Sequence, residues 1–208
     1  MITDYASFLK LIKSFDKKPK LLLHACCAPC SSHCLMLLNQ YFDITIFFSN
    51  DNIYPKSEFD FRLDELKRFL DDANLSNVGV ISAEYDESRY DNAVKGYEHL
   101  GEKSLRCYKC YTLRMEETAK LCKKLGYDYF TTTLSISPHK LEKWINEIGY
   151  SLEEKYGVKY LYSNFKKENG YKDSIELSKK YNLYRQDYCG CKYSLEERKN
   201  NDRCNKEN

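Results

Sequence analysis

Five short apolar segments alternate with amphipathic helical patterns along most of the chain, and no other feature of the sequence restricts the fold as strongly. The apolar segments have the length and composition of buried strands and span residues 20–25, 43–49, 78–85, 129–135 and 158–164. The helical patterns cover residues 31–40, 58–72, 88–98, 107–125, 139–149 and 172–182. Repeated strand–helix units predict an α/β fold, with a Rossmann-like, mostly parallel sheet and helices on both faces. Ligand sites in such sheets gather in loops at the carboxyl ends of the strands.

The chain of 208 residues has the length of a single domain. We predict an N-terminal amphipathic helix within residues 1–19, an α/β catalytic domain over residues 20–194, and a polar tail over residues 195–208 that frays. No apolar run approaches the roughly 18 residues of a membrane span, and the first residues lack the apolar block of a signal peptide. The sequence therefore predicts a cytoplasmic protein with no membrane partner.

The loop after the first predicted strand lacks the glycines of a nucleotide-binding fold. No glycine occurs between Met1 and Val78, and neither a G-x-G-x-x-G nor a Walker motif occurs anywhere in the chain. Such glycines allow backbone amides to approach a phosphate closely. The sequence therefore disfavours NAD binding and any ATP site built on a glycine loop.

Cysteines occupy this loop instead, in the segment "HACCAPCSSHC". Cys27, Cys30 and Cys34 follow the i, i+3, i+7 spacing of one helix face, whereas the adjacent Cys26 and Cys27 point in diverging directions. A diverging pair suits a polynuclear cluster better than a single small ion. Thiolates at the start of a helix also meet the positive end of its dipole, which favours metal binding or nucleophilic reactivity.

A second cysteine pair lies in "RCYKCY", where Cys107 and Cys110 form a C-x2-C motif at the start of a predicted helix. This motif is a common half-site for zinc or for an iron–sulfur cluster. If it meets Cys26 and Cys27 at the sheet edge, four thiolates converge on one metal site. A vicinal pair is unusual in structural zinc sites, and zinc has no redox role, so the pattern favours an iron–sulfur cluster.

A third pair, Cys189 and Cys191 in "QDYCGCKYS", is separated by one glycine. This spacing is awkward for chelating a metal but permits a strained disulfide, and strained disulfides are the labile or catalytic ones. We interpret the pair as a redox-active dithiol. For the remaining thiols we predict a core position for Cys122, an incidental thiol for Cys204, and either a core or a ligand role for Cys34.

Charge is distributed unevenly, although the net charge is only +2. Residues 58–102 hold twelve acidic and five basic residues, a charge of −7, and residues 155–192 hold nine basic and four acidic residues, a charge of +5. Tyrosines are interleaved with the basic residues of the second segment. Such a segment either contacts nucleic acid or combines a solvated face with core tyrosines.

Six motifs of this chain resemble, in order, those of the cobalamin-independent epoxyqueuosine reductases. They are "HACCAPC", "NDNIYP" with Glu58 and Arg62, "RCYKCYTLRMEETA", "YFTTTLSISPHK", "LYSNFKKENGY" and "YRQDYCGCKYS", and together they run from Leu21 to Ser194. The resemblance implies two-electron reductive deoxygenation of epoxyqueuosine to queuosine at the wobble position of a tRNA anticodon, with an external electron donor. Two positions depart from the family pattern, Tyr54 in "NDNIYP" and His139 in "SPHK".

The resemblance also implies which residues form the site. It assigns a [4Fe-4S] cluster to the cysteines named above in the first and second motifs, Cys26, Cys27, Cys107 and Cys110, and the redox-active pair to Cys189 and Cys191. The family is thought to hold an additional mononuclear iron, for which Cys30 and Asp51 are candidate ligands. Candidate proton donors are Tyr108, Tyr188 and Asp187, and His24 is expected to be a hydrogen-bonding residue beside the cluster.

Two other functions remain open from the sequence alone. One is an iron–sulfur, ATP-dependent tRNA thiolase, which would need a glycine-rich ATP loop where "HACCAPC" stands. The other is a zinc-stabilised RNA-binding module, in which the Cys189–Cys191 pair would have no evident function.

Overall fold

The sheet of this protein has five parallel strands in the order β3-β2-β1-β4-β5. The computed structural model describes the backbone of residues 1–204 and the side chains of residues 1–200. The strands are β1 (Lys20–His24), β2 (Asp43–Phe48), β3 (Gly79–Ser82), β4 (Tyr129–Thr132) and β5 (Lys159–Tyr160). In the sheet, Leu22 of β1 lies opposite Thr45 of β2 on one side and Phe130 of β4 on the other. The order reverses between β1 and β4, and the crevice beyond such a reversal is where ligands bind in this architecture.

Helices cover both faces of the sheet. They are α1 (Tyr5–Ile12), α2 (Ala28–Leu38), α3 (Lys56–Asp72), α4 (Glu87–Val94), α5 (Leu105–Leu125), α6 (Glu142–Tyr156), α7 (Gly170–Lys180) and α8 (Lys192–Cys204). Leu21 and Leu23 of β1 belong to an apolar cluster shared with helices α1 to α3, whereas Leu22 belongs to a second cluster shared with α4, α5 and α6. Successive side chains of β1 thus pack on opposite faces of the sheet, as expected for a strand that is buried on both faces. The predicted α/β class, with a parallel sheet between helices, is confirmed.

The largest differences from the sequence prediction lie in three segments. The strand predicted over residues 129–135 ends at Thr132 and is followed by a short 3-10 helix over residues 133–136, and β5 contains only two residues. The segment after Ser194, predicted to fray, continues as helix α8 as far as Cys204, whose side chain lies outside the described residues. In the part of the chain that the structure describes, no helix has the length and hydropathy needed to cross a membrane.

Candidate metal and redox site

A cavity of about 310 Å³ is lined by four of the eight predicted ligand and redox residues. Its walls come from the loop after β1, the loop after β4, the start of α5, helix α7, and residues 185–189. Because β1 and β4 flank the reversal in strand order, this cavity lies where the fold places ligands. Cys26, Cys30, Cys107 and Cys189 all line it, so three cysteine motifs that are distant in sequence meet at one cavity.

The first cysteine motif forms a compact group of three sulfurs. The Sγ atoms of Cys26, Cys27 and Cys30 all lie within 4.8 Å of one another, and those of Cys26 and Cys27 are 3.8 Å apart. Hydrogen bonds with the thiols of Cys27 and Cys30 hold the pKa of Cys26 well below the usual thiol range, and the cations of Arg114 and Lys140 act in the same direction. The hydrogen bond to Cys26 raises the pKa of Cys27 to about 11. The group thus offers one readily formed thiolate and could hold a metal.

The helix that follows explains this arrangement. Helix α2 begins at Ala28, earlier than predicted, with Cys27 as its capping residue and Pro29 in its first turn. Proline is favoured at this position because its missing N–H would have no partner there. Cys30 therefore lies one turn above Cys27, as the i, i+3 spacing predicts.

The second motif lies within the first two turns of α5. Cys107 lines the cavity, and Cys110 is buried in the same apolar cluster as Cys26 and Cys27. Burial raises the pKa of Cys110 to about 12. Neither cysteine belongs to the 4.8 Å group of three sulfurs, so the two motifs approach the cavity as two separate half-sites.

The third motif is held against the first by its neighbours. The Gln186 side chain donates a hydrogen bond to Cys27 Sγ at 3.0 Å, and the Tyr54 N–H donates to the Gly190 carbonyl at 2.9 Å. Tyr188 lines the cavity and donates its hydroxyl to the Tyr54 carbonyl at 2.9 Å. Cys191 is buried in the apolar cluster that also contains Cys26 and Cys27. These contacts fix the C-G-C pair beside the other cysteines.

Four buried cationic side chains lie near these sulfurs, and the sequence patterns did not indicate a role for two of them. Arg62 pairs with Glu58 at 2.7 Å and Arg106 with Glu197 at 2.8 Å. Among the described residues, no carboxylate forms an ion pair with the other two buried cations, which are Arg114 and Lys140.

Arg114 connects the second cysteine motif to the loop after β2. It donates to Asn50 Oδ1 at 2.5 Å and lies 4.0 Å from Cys110 Sγ. Buried charges without counter-charges are costly. A metal cluster held by several thiolates carries net negative charge and would balance Arg114 and Lys140, so the residues present fit an iron–sulfur cluster.

The predicted second-iron ligand Asp51 has other partners in the structure. It lies outside the cavity lining, its carboxylate pairs with Arg89 at 3.0 Å, and it accepts from the Asp86 N–H at 3.0 Å.

His24 has the hydrogen-bonding role expected of it. Its Nε2 lies 3.2 Å from the Ser49 carbonyl, which can only accept, so Nε2 carries the proton and Nδ1 accepts from the Thr132 hydroxyl at 2.8 Å. Burial and the nearby Arg114 lower its pKa to about 3, which keeps the imidazole neutral. Cys34 and Cys122 are fully buried in the two apolar clusters, so both are core residues.

Comparison with known proteins identifies the family. A sequence profile described as "Epoxyqueuosine reductase QueH" matches residues 21–197. The chain belongs to the QueH family. It is 42% identical to the epoxyqueuosine reductase QueH of Streptococcus pyogenes serotype M1 over 85% of this chain and 71% of that protein. The corresponding protein of Staphylococcus epidermidis is 42% identical over 89% and 81% of the two chains, and that of Thermotoga maritima 40% over 86% and 91%.

Membership in the QueH family confirms the resemblance stated from the motifs and favours the reductase over the thiolase and the zinc module. Of the two departures from the family pattern, His139 lines the cavity. Tyr54 is partly exposed and holds the C-G-C segment through its backbone groups, so its side chain is not needed for those two hydrogen bonds.

The proposed proton donors differ in position. Tyr188 and Asp187 line the cavity, and Asp187 also pairs with Arg198 at 2.8 Å. Tyr108 lies outside the cavity lining and donates to Glu147 at 3.2 Å. Their position therefore favours Tyr188 and Asp187 over Tyr108 as proton donors in this QueH-family site.

Gly190→Ala is expected to destabilise this QueH-family protein by about 1–3 kcal/mol. Gly190 has φ +120°, and an added Cβ would lie 3.0 Å from a guanidinium nitrogen of Arg62. Thermal unfolding would show a lowered Tm. The matched control is Gly96→Ala, at φ +88° with no atom within 4 Å of the new Cβ, and it should lower the Tm less. Equal losses would contradict the steric role of Arg62.

Proposed function

We propose that this protein reduces epoxyqueuosine to queuosine at the wobble position of tRNA, in the cytoplasm. The observation that carries the proposal is the convergence of Cys26, Cys30, Cys107 and Cys189 on one cavity at the carboxyl edge of the sheet, in a chain of the QueH family. Thiols from three separate motifs at one cavity suit electron transfer to a bound substrate.

The proposed cofactor is a [4Fe-4S] cluster held by Cys26, Cys27, Cys107 and Cys110. Support comes from the two cysteine half-sites, the lowered pKa of Cys26, and two buried cations that pair with no carboxylate among residues 1–200. When bound, such a cluster would supply electrons one at a time. Cys30 is then left as the candidate ligand of an additional iron, with Asp51 as its proposed partner.

Cys189 and Cys191 are the proposed redox pair. Oxidation of two thiols to a disulfide releases two electrons and two protons. Reductive deoxygenation of an epoxide consumes two electrons and two protons, breaks two C–O bonds, forms a C=C bond and releases water. The two half-reactions therefore balance, and an external donor must reduce the disulfide after each turnover.

The cavity rim suits an unstacked nucleotide. Tyr171 and Tyr188 offer aromatic rings, and Lys103 and Arg185 offer positive charge. Bases taken out of a stack are commonly held on aromatic side chains. Tyr160 and Tyr162, from the same basic segment of the sequence, are buried instead and belong to the core.

The direct test is anaerobic incubation of the iron-loaded protein with epoxyqueuosine-containing tRNA and a reductant, followed by nucleoside mass analysis. We expect the modified nucleoside to lose one oxygen atom. Retention of that oxygen under reducing conditions would overturn the proposal. Sulfur incorporation with ATP consumption would support a thiolase instead, and one zinc without iron would support the zinc module.

Binding of the RNA should weaken with salt, because phosphate contacts release counterions. Between about 50 and 200 mM salt we expect the affinity for a modified anticodon stem-loop to fall by about tenfold or more. The control is the free epoxyqueuosine nucleoside, which has no phosphate and should bind with little salt dependence. An RNA affinity that is equally insensitive to salt would indicate a nucleoside-sized substrate.

A further inference from the structure

Lys140 is a buried lysine that faces the cavity from the loop between the 3-10 helix and α6. Its side chain is 9% exposed and lines the cavity together with Cys26, Cys30 and Cys189. The backbone around it is fixed on both sides. Its N–H donates to the Ser137 carbonyl at 3.2 Å, and its carbonyl accepts from Lys166 Nζ at 3.3 Å. The ammonium is therefore presented to the cavity by an ordered turn beside the β1–β4 reversal.

The charge of Lys140 is not neutralised by a carboxylate in the described part of the chain. The titratable groups that act on it are the thiols of Cys189, Cys26 and Cys30 and the hydroxyl of Tyr111. An ammonium has three donors, and a buried charge is costly without a partner. Arg62 and Arg106, by contrast, each have a glutamate partner. Lys140 thus presents a positive charge and hydrogen-bond donors to the cavity.

We propose that Lys140 is a catalytic residue that donates a hydrogen bond to the epoxide oxygen of the substrate. This inference rests on the proposed function and deepens it. Negative charge develops on that oxygen as the two C–O bonds break, and a cation fixed beside the oxygen stabilises such charge. The electrons and protons come from the dithiol pair as balanced above, so Lys140 begins and ends the cycle as an ammonium. The product alkene lacks this oxygen and cannot accept the bond.

The test compares binding of substrate and product without turnover. Protein with the Cys189–Cys191 pair oxidised beforehand is titrated, without reductant, with anticodon stem-loops that carry epoxyqueuosine or queuosine. A hydrogen bond from a charged donor predicts that the unmodified protein binds the epoxide about tenfold more tightly than the alkene. Lys140→Met should lose this preference. Lys143→Met, which removes an exposed lysine three residues away, should keep it.

A second readout separates this role from charge compensation of the thiolates. With reductant, Lys140→Met should lower kcat roughly 100-fold while its iron content stays at the level of the unmodified protein, and Lys140→Arg should recover part of the loss. If Lys140→Met loses thermal stability or iron, the binding of the two stem-loops is measured with Lys140→Gln instead. The inference is overturned if the neutral variant keeps the preference for the epoxide, or if both RNAs lose affinity equally. Failure of the unmodified protein to convert epoxyqueuosine at all would instead overturn the proposed function.

Discussion

Replacing Cys107 or Cys110 by alanine is expected to remove most of the iron and sulfide from the anaerobically reconstituted protein and to abolish turnover. Both residues lie within the first two turns of α5, and Cys107 lines the same cavity as Cys26. The loss of one thiolate leaves a cluster without a full set of ligands. Changes in groups that only support a ligand cost about 10- to 100-fold in metal affinity or activity, so the loss of a direct ligand should cost more.

Iron and sulfide analysis, together with the visible absorbance of the cluster, measures this effect. Cys122→Ala is the matched control, because Cys122 lies on the same helix but is buried in the core, where its thiol bonds the Tyr127 carbonyl at 3.5 Å. It should keep its iron. An unchanged iron and sulfide content in both the Cys107 and Cys110 variants would refute the proposed ligand set.

Local patterns predicted the sheet well wherever strands are apolar and flanked by helices, but β5 shows their limit. The run "VKYLYSN" reads as one strand, yet only Lys159 and Tyr160 pair with β4 as strand residues. The Asn146 side chain accepts from the Ser163 N–H at 3.0 Å and donates to the Ser163 carbonyl at 2.9 Å. The backbone at Ser163 thus bonds to a side chain of α6, and nothing in the local sequence signals that contact.

Helix α8 was missed for a similar reason. Its sequence is strongly polar and predicted a frayed tail. In the structure, Lys192 pairs with Asp91 at 2.8 Å, and Glu197 accepts from Arg106 at 2.8 Å. Both partners lie about a hundred residues away in the chain, and only the tertiary structure brings them to this helix.

For the site, too, local features could be predicted and tertiary contacts could not. The spacing of the cysteines, and their position after β1, predicted that they are functional, because thiolates are recognisable metal ligands and redox groups. Arg114, Lys140 and Gln186 were missed because their roles depend on which sulfurs they approach across the fold. The spacing of four residues between Cys110 and Arg114 was the one available signal, since it places both on one face of α5. Asp51 was named as a candidate ligand on the family resemblance, and nothing in the sequence indicated its ion pair with Arg89.

Cys189→Ser and Cys191→Ser are each expected to lower turnover with an external reductant by roughly 10³-fold or more, while the iron and sulfide content stays unchanged. The two thiols act as a unit, since a disulfide needs both sulfurs, so each single variant and the double variant should lose the same activity. Serine keeps the size of the side chain, and the segment that carries the pair is held by hydrogen bonds of Gly190, Tyr188 and Gln186 that the change leaves in place.

Comparing the three variants decides whether the pair reacts or only supports the fold. Additive losses across the singles and the double variant, accompanied by a lowered Tm, would indicate packing contributions from a half-buried and a buried thiol. Equal losses of activity in all three variants, at unchanged Tm, would mean that each variant lacks the same electron donor, the dithiol. Thiol titration then adds an independent measure, because protein oxidised by one equivalent of epoxide substrate should hold two fewer free thiols than the reduced protein. Full turnover in either single variant would remove the pair from the reaction and leave the electrons to come from another donor.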